Sequence, residues 1–184
     1  MTARTWLAGV LGALAMFVWI FLAHGALGLG EAGIKQIPNE APLLASMQST
    51  VPVQGTFIFP NMDRKAPEAN MKKLESGPSG LLIYFPTRNF SFPVALLIEF
   101  LTEFVAVMIV VYLLSLTRVR SFAGTIGFFA LIGLGVACAD PVSNWNWFGF
   151  SAAYTLATCF TGWFGYVLAG MVAAGLKVRG QKTA

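Results

Sequence analysis

Four stretches of this chain, residues 5–23, 93–116, 122–139 and 151–176, are apolar over at least eighteen positions each, and that leaves few folds open. A bilayer core takes about 20 residues in helical form, because each backbone N–H and C=O must find its partner inside the segment. Only 11% of the 184 residues are charged, against roughly a quarter in an ordinary soluble domain. Apart from Glu99 and Glu103, those charges gather at the ends of the apolar runs and in one polar stretch, whereas a soluble helical fold spreads charge over every outer face. The expected class is an all-α membrane protein: a four-transmembrane-helix bundle with a small α+β extracytoplasmic insert between helices 1 and 2.

The divisions follow from where the character changes. Residues 1–23 hold the first span, which resembles a signal-peptide core but is longer, so it is expected to stay as a helix. From His24 to residue 92 glycine, proline and charge take over. That stretch is too long and too patterned for a plain linker. Asn39 before Glu40, Ala41 and Pro42 reads as the N-cap of a short helix over about 40–49, and Pro67-Glu68 opens another over about 67–76. Strand-like runs at about 56–59 and 81–85 can pair as a ribbon. Pro93 starts the second span, the glycine-rich third is expected to stop at Asp140-Pro141, and an aromatic loop over 140–150 leads into the fourth. A tail, 177–184, closes the chain.

Arg4, Arg118, Arg120, Lys177, Arg179 and Lys182 all flank spans on one side, and the 140–150 loop has neither Lys nor Arg. The positive-inside rule therefore places both termini in the cytoplasm and residues 24–92 outside, in a bacterial inner membrane by general character. The net charge of +4 is this topology signal; no basic stripe with stacking aromatics points to nucleic acid. Trp145, Trp147 and Phe148 match an interfacial aromatic belt. Gly9 with Ala13, Gly124 with Gly127, and Gly162 with Gly165 offer small faces for close helix packing. Cys138 and Cys159 are expected at depths about 10 Å apart, too far for a disulfide.

The feature nearest to chemistry is Glu99 and Glu103, four apart and so on one face of the second span. An ionised acid at mid-membrane costs on the order of 2.5–3.5 kcal/mol, so both must face protein or water, and at least one must be protonated or paired. One reading is an interhelical clamp to Thr155, Thr158 or Tyr154, or to a partner subunit; another is a proton or cation relay. His24, the one histidine, could join the acids as a metal site, or ligate a haem alone without an evident second axial ligand. Arg88 is the nearest basic residue to pair with Glu99, the alternative being contact with lipid headgroups. No cofactor is expected from motifs, since phosphate-binding loops and hydrolase or metalloprotease signatures do not occur. Bound lipid is expected.

The function expected from this is a non-catalytic integral membrane subunit, an accessory component of a homo-oligomer or larger membrane complex. Its partners would be lipids and itself or other membrane subunits. The alternatives are a proton- or cation-coupled channel or transporter using Glu99 and Glu103, and a metal-dependent membrane enzyme.

Overall fold

The computed structural model describes residues 3–180, so Lys182 and the last four positions lie outside the described residues. The described chain is mostly helical and divides into two compact units. Four helices are long and apolar enough to cross a membrane: α1 (Ala3–Gly25), α4 (Phe92–Ser115), α5 (Phe122–Phe148) and α6 (Ala152–Gly175). They belong, with the last two residues of α5 excepted, to the larger unit.

Within that unit α1 lies between α4 and α6. Gly12 of α1 sits where a methyl group would meet Val107 of α4 at 3.2 Å and Ala169 of α6 at 3.4 Å. Gly9 faces the Met108 side chain, and Gly165 of α6 faces Met16. Small residues matter here because lipid gives helices no hydrophobic reason to associate; close van der Waals approach must supply it. The α5 helix packs on α6 through the same device, with Gly133 under Tyr166, Gly170 under Phe129 and Gly162 against Ala137. Two indoles tie the helices further. The Trp19 Nε1–H donates to the Thr161 carbonyl at 2.9 Å, and that of Trp163 to the Ala130 carbonyl at 3.1 Å. Gly124 touches only its own turn (Val119 and Ser121), and Gly127 faces open space, so neither serves helix packing inside this chain.

The third span departs from the sequence expectation. It does not end at Asp140-Pro141; the helix runs on through Pro141 to Phe148, and most of the expected 140–150 loop is helical. A proline removes one N–H and crowds the carbonyl four residues back, but the flanking turns keep their own bonds. Asn144 Nδ2 donates to Asp140 Oδ2 at 2.8 Å across the following turn, so Asp140 pairs along a helix instead of capping a loop. Gly149, at φ +74°, ends it. Trp145, Trp147 and Phe148 are accordingly exposed on the last turns of α5.

The extension also changes the depth of Cys138. It now lies about 15 Å inside the end of α5, and Cys159 about 11 Å inside the start of α6. With Gly162 packed on Ala137, the two free cysteines fall at nearly the same depth, and the expected offset does not exist.

The smaller unit covers residues 35–90 with 147–149. It contains α2 (Ala41–Thr50), β1 (Gly55–Phe59), α3 (Pro67–Ser76) and β2 (Gly80–Tyr84). The strands pair antiparallel, with Phe57 opposite Leu82 and Gly55 opposite Tyr84. Phe57, Leu82 and Tyr84 share the covered face, while Thr56 and Ile83 are exposed on the other, which is the period-two alternation of a half-buried ribbon. The Asn70 side-chain amide bonds both backbone groups of Asp63, at 2.9 and 2.7 Å, and pins the loop before α3. Asn39 is not an N-cap. It takes φ +52° and Glu40 occupies the cap position without a side-chain bond; asparagine is among the few residues that adopt this left-handed turn readily.

Candidate functional site

The acid pair sits on α4, where four-residue spacing stacks the two side chains about 6 Å apart along one face. Their surroundings differ sharply. Glu99 is exposed and lines a cleft of about 420 Å³ between the end of α1 and the start of α4. Glu103, one turn deeper, is 3% exposed, and neither of its carboxylate oxygens has a hydrogen-bond partner. Beyond it on α4 come Val107, Val110, Val111 and Leu114, all buried. The order along the helix is therefore open cleft, exposed acid, enclosed acid, dry apolar seal.

Helix register explains why Glu103 is alone. Gly12 lies opposite Val107 and Ala169, and Met16 opposite Gly165, which brings Glu103 level with Met16 and with Gly165–Tyr166 of α6. Tyr166 itself is buried. Thr158 and Thr155 lie roughly 10 and 15 Å further along α6, beyond the reach of a glutamate. The Thr155 hydroxyl instead donates to the Ser151 carbonyl at 3.1 Å, the usual back-bond of a threonine in a helix. The expected clamp from Glu103 to these threonines does not form. Tyr154 lies in the first turn of α6, further still from Glu103, where its backbone N–H donates to Ser151 Oγ at 3.1 Å and its ring lies 5.5 Å from that of Phe150.

His24 does reach the acids' neighbourhood. It lines the same cleft as Glu99, with Phe17, Phe21, Phe92 and Leu96 as apolar walls. Its Nδ1 lies 2.9 Å from the Ile20 carbonyl. A carbonyl can only accept, so Nδ1 carries the hydrogen and Nε2 is left as the ring's second polar site. The ring lies against Gly30, where any side chain would collide with it. Among the described residues no three His, Cys, Asp or Glu side chains converge as metal ligands; Glu103 is separated from the His24–Glu99 cleft by a helical turn. Arg88, in the smaller unit, stacks over Phe85 and Phe90 at 5.1 Å from each ring centroid.

Residues that the spacing did not single out complete the site. Phe17 packs edge-on against Phe100 at 5.7 Å, closing the cleft floor on the α1 side. Met16, Gly165 and Tyr166 enclose the level of Glu103. No protein-family model, no curated protein and no solved structure matches this chain, so the reading of the site rests on its geometry.

Proposed function

We propose that this chain is a proton-coupled channel or transporter subunit of a membrane, in which Glu103 is the proton-binding carboxylate and Glu99, beside His24, is its route to one aqueous face. The observation that carries this reading is the enclosed, unpartnered carboxylate of Glu103. A clamp within the chain would show a bonded donor, and a clamp to a partner subunit would require the oxygens to be reachable from outside. Glu103 meets neither condition. A carboxyl that is enclosed without a partner is tolerable when it holds a proton, because the neutral acid escapes most of the cost of burying a charge. A proton also needs no coordination shell, which suits a carboxyl whose oxygens have no hydrogen-bond partner.

Access is one-sided. Glu99 stands a single turn away in an open cleft, whereas the valine and leucine seal blocks the other direction. Transfer across the membrane then requires the seal to open while the cleft closes, the general logic of alternating access. By the distribution of Lys and Arg, the cleft faces the outer side, the inner end carries both termini, and the smaller unit lies outside. The test is proton flux into proteoliposomes holding the full chain. Glu103→Gln keeps the shape and removes the exchangeable proton, and is expected to abolish flux with folding intact. Undiminished flux through that variant would refute the proposal.

A second reading, assembly into an oligomer or larger complex, is favoured by a separate observation. Gly127 and Gly135 of α5 have nothing within 4 Å of where a side chain would begin, and such notches on an outward helix face suit a neighbouring helix. The two readings are compatible, since a transporter subunit can also assemble.

A further inference from the structure

At the end of the larger unit farthest from the acid pair, every charged side chain is basic. The sequence has no Asp or Glu between 104 and 139 and none after 140. Here the turn after α4 enters α5 and the segment after α6 folds back across it. A cleft of about 200 Å³ lies between them, lined by Arg120, Ser121, Phe122 and Thr125 on one side and Lys177 and Arg179 on the other.

The backbone that carries the cations is held in place. Lys177 adopts φ +57°, and the N–H groups of Lys177 and Val178 bond the carbonyls of Ala174 and Ala173, both at 3.0 Å. That left-handed reversal turns the chain back and buries Val178. Gly180 then donates to the Val119 carbonyl at 2.7 Å, and Arg120 Nη1 donates to the Gly180 carbonyl at 3.2 Å. Three like charges thus line one small cavity with no acidic side chain among the described residues beside them, an arrangement that costs repulsion unless an anion sits between them.

The start of α5 adds donors. Ser121 Oγ accepts the Gly124 N–H at 3.0 Å, and the Ser121 carbonyl takes both the N–H and the hydroxyl of Thr125. The N–H groups of Phe122 and Ala123, in the first turn, have no carbonyl within the helix to bond. They stand at the positive end of the helix dipole, and Phe122 lines the cleft.

We propose that this cleft is a phosphate-binding site, and that its occupant is the headgroup phosphodiester of an anionic phospholipid. Arg120 and Arg179 supply forked donors, Lys177 a point charge, and the α5 amides complete the oxyanion's shell. The lipid source follows from position, because the cleft lies at the ends of three helices that are long and apolar enough to span a bilayer, the level at which headgroups sit. The site is independent of the acid pair and of its proposed role.

The experiment is thermal unfolding of the full chain in a neutral detergent, titrated with phosphatidylglycerol, phosphatidylcholine or inorganic phosphate. Phosphatidylglycerol is expected to raise the midpoint saturably and phosphatidylcholine not to. The double variant Lys177→Gln/Arg179→Gln is expected to shift half-saturation by on the order of thirtyfold. The variant Arg64→Gln/Lys65→Gln, equal in charge change but in the other unit, is expected to leave it unchanged. Arg179→Gln alone, whose guanidinium is exposed, preserves the backbone turn and should weaken binding about fivefold. If millimolar inorganic phosphate stabilises equally and competes with the lipid, the site stands and its ligand is free phosphate. Loss of the lipid effect to the same degree in both double variants, or its absence from the parent chain, would overturn the site.

Discussion

Glu103 is the residue on which most of the account depends. Its spacing from Glu99 was plain in the sequence, and so was the cost of placing either acid in a membrane. What the spacing could not show is that the two have different surroundings, one in an open cleft and one sealed. That difference arises from register between helices distant in sequence: α1 places Met16 at the depth of Glu103, and α6 places Gly165 and Tyr166 there instead of a threonine. An enclosed carboxyl with no partner should weaken the fold. Glu103→Met, similar in length and wholly apolar, is expected to raise unfolding stability by about 1–3 kcal/mol, measured by denaturation in detergent, while eliminating function. A destabilised Glu103→Met protein would mean that the carboxyl holds a structural bond after all.

Among the elements, the helices were legible where the chain itself punctuates them. Pro42 and Pro67 open the short helices, Pro93 sits in the first turn of α4, and Ser151 caps α6 with a bond to the Tyr154 N–H at 3.1 Å. The same signal misled at Pro141, because a proline inside a long apolar helix loses one hydrogen bond without losing the reason to stay helical. Glycines divide the same way. Their abundance in α5 and α6 announced close packing, but which of them pack depends on which face each helix turns inward. Gly133 lies under the Tyr166 ring and Gly127 under nothing. Gly133→Ala is therefore expected to cost about 1–3 kcal/mol through overpacking. In the dissociated single chain in detergent, Gly127→Ala should be neutral or stabilise by up to about 1 kcal/mol from helix propensity alone. Equal effects of the two substitutions on thermal stability would show that the α5–α6 contact is misplaced.

For the whole molecule, four apolar helices and a small two-stranded sheet in a separate unit follow from the pattern of apolar runs and breaks. The order in which the helices pack, α4 against α1 against α6 against α5, does not, because it is set by long-range small-residue contacts that no local period encodes. The open notches at Gly127 and Gly135 lead us to expect a particle in native lipid well above the 19.8 kDa of one chain; a mass matching one chain would remove the assembly reading and leave the proton reading untouched. On the proposed reading, a proton passes between the open cleft and the enclosed acid one turn below it. Infrared difference spectroscopy of the full chain in lipid reads this directly, through the C=O stretch of a protonated carboxyl. We predict such a band that is absent in Glu103→Gln, shifts on exchange into heavy water, and exchanges more slowly in Glu99→Gln. A spectrum in which Glu103 contributes only ionised-carboxylate bands, or a carboxyl band that never exchanges, would contradict the account.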